Sequence, residues 1–229
     1  MCRVGERCGN PWSIGREAVK RNRLPMAVLW AAAVILVLSY YMVPAVSSVL
    51  EPVALWQLEN GWLAAFLNRV VFCGLIPGLF ITSVKSLRPN HVLAVVAVQT
   101  AWSGLCGIAS DWMFSLNAHL FGTGIDFLTL CVKTAVCQFL WTPFFFAPAG
   151  AIVYFWMGRD FSQRRFREDL PPRFYQGLVL PNLLVNWTIW IPVTFAVNAL
   201  PTPLQIQLSG LVSSLFSLVL LSIGRHRHR

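Results

Sequence analysis

The stretch that decides the fold of this chain runs from Asp126 to Met157 and reads DFLTLCVKTAVCQFLWTPFFFAPAGAIVYFWM. Only Asp126 and Lys133 carry a charge in it. A helix needs about 20 mostly apolar residues to cross the hydrocarbon core of a bilayer, and this stretch is longer than that. It is therefore predicted to be a transmembrane helix, and Pro143 and Pro148 are expected to bend it.

Apolar stretches of the same kind lie on both sides of it. Together they predict an all-α, polytopic transmembrane helix bundle over residues 25–223, between a basic N-terminal tail (1–24) and a basic C-terminal tail (224–229). The six predicted spans cover about residues 25–50, 62–84, 91–116, 126–157, 175–200 and 204–223.

The overall composition agrees with a membrane protein. Hydrophobic residues make up 56% of the chain and charged residues only 12%, whereas soluble domains average roughly 25% charged residues. The net charge of +9 would suggest a nucleic-acid partner in a soluble protein. Here the basic residues lie in the tails and in some of the loops, so the expected partner is the lipid bilayer and not nucleic acid.

The basic residues also predict the orientation. They occur in both tails, in the loop after the second span (Lys85 and Arg88) and in the loop after the fourth, whereas the connections at 51–60, 117–124 and 201–203 contain none. The positive-inside rule then places both termini on the cytoplasmic-type side. One alternative for the start is a cleaved signal peptide, with Ala45-Val46-Ser47 as an acceptable cleavage site.

Two basic residues are left inside the spans, Arg69 in the second and Lys133 in the fourth. A charge there costs about 3 kcal/mol on insertion scales, so such residues usually face the bundle interior and pair. Asp111 and Asp126 lie near the same membrane face, and we expect all four to form one polar cluster in which Lys133 neutralises Asp111. The cluster could line a pore or bind a ligand, or its ion pairs could simply hold helices together.

Uncharged polar residues recur every four positions in the spans and so share helix faces. They either bridge helices, at about 1 kcal/mol each, or line a polar pathway. They are Thr134, Gln138 and Thr142 in the fourth span, Asn182 and Asn186 in the fifth, and Gln99, Ser103 and Ser110 in the third.

The motifs of the common enzyme classes are absent. The sequence contains no Walker loop, no H-E-x-x-H, no nucleophile elbow and no dinucleotide fingerprint. It therefore predicts neither an enzyme nor a bound cofactor or metal. Gly74 and Gly78 have the G-x-x-x-G spacing that allows two helices to approach closely.

The fourth span also carries a motif. Lys133, Gln138 and Pro143 read K-x4-Q-x4-P, which resembles the third helix of the family that includes the mitochondrial inner-membrane protein Mpv-seventeen and the twenty-two-kilodalton peroxisomal membrane protein. The family pattern has an aspartate just before the glutamine, where this chain has Cys137.

The fifth span extends the resemblance. Pro181 and Pro192 stand eleven positions apart with Asn186 and Trp187 between them, as in the family's W-P to V-P segment. Leu180 and Leu184 occupy positions where the family has tryptophan and glutamine. The resemblance covers about residues 102–223, and the usual family member has four spans, so this chain resembles a longer, bacterial-type form.

The resemblance implies an integral membrane protein, for which the bacterial inner membrane is the first expectation and the mitochondrial inner or peroxisomal membrane the alternative. It also implies a channel or pore for small solutes, and Lys133, Arg69 and Gln138 would favour anions. The alternative function is a non-transporting membrane scaffold or interaction protein in which the same residues only hold helices together. The solute and the oligomeric state stay open.

Overall fold

The structure is a computed structural model that describes residues 20, 23–84 and 89–227, with only the backbone of residues 25, 216 and 218–227. Most of the basic N-terminal tail, the loop residues Lys85 and Arg88, and the side chains of the C-terminal tail lie outside the described residues. The charge pattern of these segments is therefore known from the sequence alone.

Every regular element in the described residues is a helix, which confirms the predicted all-α class. The connections between the helices are short, and each helix packs against its neighbours in a bundle. Within residues 23–84 and 89–227 the helices are α1 (Arg23–Met42), α2 (Pro44–Asn60), α3 (Trp62–Ser83), α4 (Val92–Phe121), α5 (Phe127–Met157), α6 (Gln163–Asp169), α7 (Tyr175–Asn198) and α8 (Thr202–Arg227).

Four of these helices, α3, α4, α5 and α7, are each long and apolar enough to cross a membrane, and α1 with α2 makes a fifth candidate if the bent pair is one span. Large apolar side chains point outward from them, among them Leu79, Leu105 and Phe144. Water would disfavour such a surface, whereas lipid tails solvate it. The chain is thus compatible with an integral membrane protein.

The first predicted span differs from the structure. Residues 25–50 do not form one helix, because the chain bends by 100° between Met42 and Pro44. Val43 is extended, with φ −118° and ψ 101°, as expected for a residue before proline. The connection predicted at 51–60 is the helical second half of α2, and Gly61, with φ +49°, turns the chain into α3.

Three of the long helices contain π-helical segments, namely Val70–Leu75 in α3, Val136–Phe146 in α5 and Tyr175–Val179 in α7. Pro143 lies inside the second, and its missing N–H leaves the carbonyl of Gln138, five residues earlier, without a backbone partner. The indole Nε1 of Trp187 on α7 donates to that carbonyl at 2.6 Å. The irregular backbone is thus satisfied by a neighbouring helix, as lipid surroundings require.

Glycines allow α3 and α4 to approach closely. A Cβ at Gly74 would lie 2.7 Å from Thr100 Cα, and one at Gly78 would lie 2.8 Å from a methyl group of Val96. On α4, a Cβ at Gly107 would lie 2.5 Å from the carbonyl oxygen of Ala65. The close contact expected from the Gly74–Gly78 spacing is therefore present, and Gly107 contributes to it from the opposite helix.

The last helix, α8, contacts α1, α2, α3, α4 and α7. Its buried residues Ile206 and Val212 belong to the same apolar core as Leu29 of α1 and Val193 of α7. The helix continues to Arg227, so the predicted C-terminal tail begins as helix. Because α8 packs against so many helices, its polar side chains Gln205, Ser209 and Ser214 are buried in the bundle.

Candidate functional site

A cavity of about 390 Å³ lies in the middle of the bundle, between α3, α4, α5, α7 and α8. Among the described residues no aspartate or glutamate lines it, and one arginine does. Trp102 and Trp190 contribute aromatic surface. Its polar lining consists of Arg69, Gln99, Ser103, Ser110, Gln138, Thr142, Asn186, Thr194, Ser209, Ser213 and Ser217.

Arg69 supplies the positive charge of this central cavity. Its Nη1 donates to Ser213 Oγ at 2.8 Å and its Nη2 donates to Ser209 Oγ at 3.0 Å. Both serines donate their own hydroxyl protons to backbone carbonyls of α8, at 2.6 Å and 2.9 Å, which leaves their lone pairs free for the guanidinium. Arg69 Nε has no partner in the described chain. The guanidinium is held in place, but no carboxylate neutralises it.

Gln138 presents an acceptor to the same cavity. The side chain is 4% exposed, and its Nε2 donates to Thr194 Oγ1 at 2.7 Å. Its Oε1 has no partner in the part of the chain that the structure describes. Thr142, one turn further along α5, donates to the carbonyl of Cys137 at 2.9 Å. The predicted polar stripe of the fourth span therefore does face the bundle interior.

The two asparagines of the fifth predicted span lie in different surroundings. Asn186 lines the central cavity, and its Oδ1 has no partner in the described residues. Asn182 is exposed, and its Nδ2 donates to the carbonyl of Leu178 in its own helix at 2.9 Å. The shared face expected from their four-residue spacing does not bring both to the site, since Asn182 lies where α7 leaves the cavity.

Lys133 is not in the central cavity. Its side chain is 2% exposed and faces a second cavity of about 380 Å³ at the end of the bundle that carries the connection between α7 and α8. Thr134, the next residue, is buried and accepts from Asn198 Nδ2 at 3.2 Å. Cys137, one turn after Lys133, lines the central cavity instead. The two cavities thus follow each other along α5.

Asp111 pairs with neither basic residue. Its Oδ1 accepts from Gln57 Nε2 at 2.9 Å. Gln57 in turn accepts from Gln207 Nε2 at 2.8 Å, and Gln207 accepts from Asn68 Nδ2. This polar network of Asn68, Gln207, Gln57 and Asp111 joins α2, α3, α4 and α8.

Asp126 serves as the N-cap of α5, because its exposed carboxylate accepts from the backbone N–H of Thr129 at 3.0 Å. This hydrogen bond lowers the pKa of the Asp126 carboxyl below its ordinary value.

The single cluster expected from Arg69, Asp111, Asp126 and Lys133 is therefore not formed. Similar depth in the membrane could be read from the sequence, but the direction in which each helix points its side chain could not. The salt bridges in the described residues lie in the loop around α6 instead, where Arg159 pairs with Asp169 at 2.5 Å.

Comparison with protein-family models, curated proteins and solved structures finds no match to this chain. Two of the positions on which the resemblance rests contact each other, since the indole of Trp187 on α7 donates to the carbonyl of Gln138 on α5. Pro181 lies in the first turn of the α-helical part of α7, which follows its π segment, and Pro192 lies inside that helix.

Several polar residues of the site were missed from the sequence. Ser209, Ser213 and Ser217 all line the central cavity, and their spacing of four within an apolar helix is the signal that could have identified them. Gln57 was assigned to a loop, so its contact with Asp111 could not be foreseen. Among the described residues, no group of three or more His, Cys, Asp or Glu side chains could hold a metal ion.

Proposed function

We propose that this chain conducts small polar solutes, with a preference for anions, through the central cavity. The observation that carries the proposal is the cavity of about 390 Å³, which is lined by Arg69 and by no carboxylate. An uncompensated charge in a low-dielectric site attracts counter-ions strongly. Such a charge would be costly in a protein that only needed to pack its helices.

The other polar groups of the cavity suit a solute that has lost part of its water. The free acceptors of Gln138 and Asn186 and the hydroxyls of the α8 serines can replace hydration on a solute that also carries donors. The indoles of Trp102 and Trp190 offer apolar surface beside them. Polyhydroxylated or carboxylate-bearing metabolites present this mixture of groups.

The proposal includes six spans with both termini on the cytoplasmic-type side. In it α1 is the first span, since its 20 residues reach about 30 Å at 1.5 Å per residue. Because of the 100° bend, α2 would lie along the opposite membrane surface, and α8 would be the sixth span. Membership of the Mpv-seventeen family and a place in the bacterial inner membrane, or the mitochondrial inner or peroxisomal membrane, belong to the same proposal.

Flux through proteoliposomes tests the function. Wild-type protein should release small anions faster than cations of the same size, and Arg69→Met should reduce the anion flux about tenfold, as expected for the loss of one charge in a site of low dielectric. Arg69→Lys keeps the charge and should retain most of the selectivity. Arg167→Met, in the exposed loop helix α6, is the matched control. Wild-type liposomes no leakier than empty ones would overturn the proposal.

Cysteine labelling tests the topology. Single cysteines at Arg165 and Glu59 should react with an impermeant reagent from opposite sides, and the Arg165 side should be that of both termini. Labelling of both positions from one side would rule out the six-span arrangement.

The second candidate function is a non-transporting membrane scaffold, and the polar network around Gln57 favours it. Its hydrogen bonds join four helices, which is what polar residues do when they only hold a membrane bundle together. A scaffold would show no flux, and Arg69→Met would then change thermal stability without any effect on permeability.

A further inference from the structure

The second cavity, called here the Lys133 cavity, has the chemistry of a separate binding site. It measures about 380 Å³. Among the residues that the structure describes, Lys133 is its one charged lining residue, and no acidic side chain lines it. Its other lining residues include Tyr41, Thr123, Leu200, Thr202 and Gln205.

The Lys133 ammonium has no hydrogen bond or salt bridge within the residues that the structure describes, although the side chain is 2% exposed. Neither of the carboxylates expected near it forms a salt bridge with it, because Asp111 accepts from Gln57 and Asp126 caps the N-terminus of α5. The Asp126 carboxylate acts on the ammonium only through a longer-range electrostatic attraction. A buried charge without a hydrogen-bonded partner destabilises a fold. The cavity in front of it leaves room for a ligand that supplies the missing negative charge.

The rest of the lining agrees with an anion. Helix α8 begins at Thr202 on the wall of the cavity, and its 26 residues place the positive end of a helix dipole there. Tyr41 and Gln205 have already donated to backbone carbonyls, to Ala199 at 2.5 Å and to Leu200 at 2.9 Å. The hydroxyls of Thr123 and Thr202 form no such bond to any residue that the structure describes and can serve an oxyanion.

We propose that the Lys133 cavity binds an oxyanion, a phosphate or carboxylate group held by the Lys133 ammonium, the first turn of α8 and the two threonine hydroxyls. The site is distinct from the central cavity, because no described residue lines both cavities. Its binding does not require transport. The oxyanion group is common to free phosphate and to the headgroup of an acidic phospholipid.

Calorimetric titration with inorganic phosphate tests the site in protein purified in a neutral detergent. Phosphate should bind saturably and raise the melting temperature more than chloride does at equal ionic strength. Lys133→Met should weaken binding about tenfold or more, the worth of one charge-assisted hydrogen bond, and Lys133→Arg should restore most of it. The paired change Thr123→Val with Thr202→Val alters only the connection before α5 and the first residue of α8, and it should weaken binding several-fold, which keeps the test decisive if Lys133→Met does not fold.

A second arm identifies the source of the oxyanion. Protein in phosphatidylcholine nanodiscs with added phosphatidylglycerol should lose phosphate binding if the lipid headgroup occupies the cavity, and should keep it if the ligand is a free solute. Absence of binding by both phosphate and phosphatidylglycerol, or equal binding by Lys133→Met and wild type, would overturn the site. Because Arg69→Met acts on flux and not on this titration, failure of the pore and failure of the Lys133 site give different results.

Discussion

The indole nitrogen of Trp187 lies 2.6 Å from the carbonyl oxygen of Gln138, the carbonyl that Pro143 leaves without a backbone donor. The relationship joins a proline on α5 to a tryptophan on α7. It explains how α5 tolerates a proline in the middle of a membrane-length helix.

Trp187→Phe should therefore lower the free energy of unfolding by about 1–2 kcal/mol, because a buried carbonyl would lose its partner. Trp190→Phe, one turn along the same helix, is the control. In a Pro143→Ala background the restored backbone N–H can reach the carbonyl, so Trp187→Phe should cost less there. Thermal unfolding of the four proteins gives the coupling directly, and additive changes would show that the proline and the indole act independently.

A second prediction concerns Asp111. Gln57→Leu should destabilise the protein by about 1–3 kcal/mol, because Asp111 Oδ1 loses its donor and Gln207 Nε2 loses its acceptor. Asp111→Asn should be milder, since the amide oxygen still accepts from Gln57. Asp111→Asn and Lys133→Met should be additive within about 0.5 kcal/mol because the two residues do not touch. A strong coupling between them in detergent melts would mean that the ion pair expected from the sequence exists after all.

A third prediction concerns the contact of α3 with α4. Gly107→Ala should destabilise the bundle by about 1–3 kcal/mol, because its Cβ would lie 2.5 Å from Ala65 O and 2.8 Å from Arg69 Cγ. Gly150→Ala is the matched control, since the atom nearest to its new Cβ would be 3.9 Å away. Gly150 lies in the wall of the central cavity. Equal melting temperatures of the two variants would show that the helices are not packed this closely.

The N-cap of α5 predicts a pH dependence. The hydrogen bond from Thr129 lowers the pKa of Asp126 in the folded state. The carboxylate therefore stabilises the folded state fully at pH values above the ordinary aspartate pKa of 3.8. This contribution is lost as the pH falls through the lower pKa of the folded state. Asp126→Ala should melt below wild type at pH 7, and the difference should shrink under strongly acidic conditions. Asp126→Asn, which can still cap the helix, is the control. A difference that does not change with pH would contradict the assignment.

The sequence was sufficient to predict the all-helical class and the approximate positions of the four long helices. A run of apolar residues that is long enough to cross a bilayer can form few other structures. The sequence was also sufficient to identify Arg69, Gln138, Thr142 and Asn186 as residues facing the interior. A charge or an amide in such a helix avoids lipid, so its presence alone indicates a protein-facing side.

The course of the first predicted span and the contact partners of the charged residues could not be predicted from hydropathy in this way. A hydropathy pattern does not show the 100° bend at Val43, because the residues on both sides of it are apolar. Since the bend was not predicted, Gln57 was assigned to a loop, whereas it lies in α2.

Only the tertiary structure decided that Arg69 lies among the serines of α8, that Asp111 accepts from Gln57, and that Lys133 faces a cavity of its own. The sequence by itself determined which residues are too polar for lipid. Which of them meet depends on the rotation of each helix about its axis, and that rotation is set by the packing of glycines, prolines and aromatic rings from distant parts of the chain.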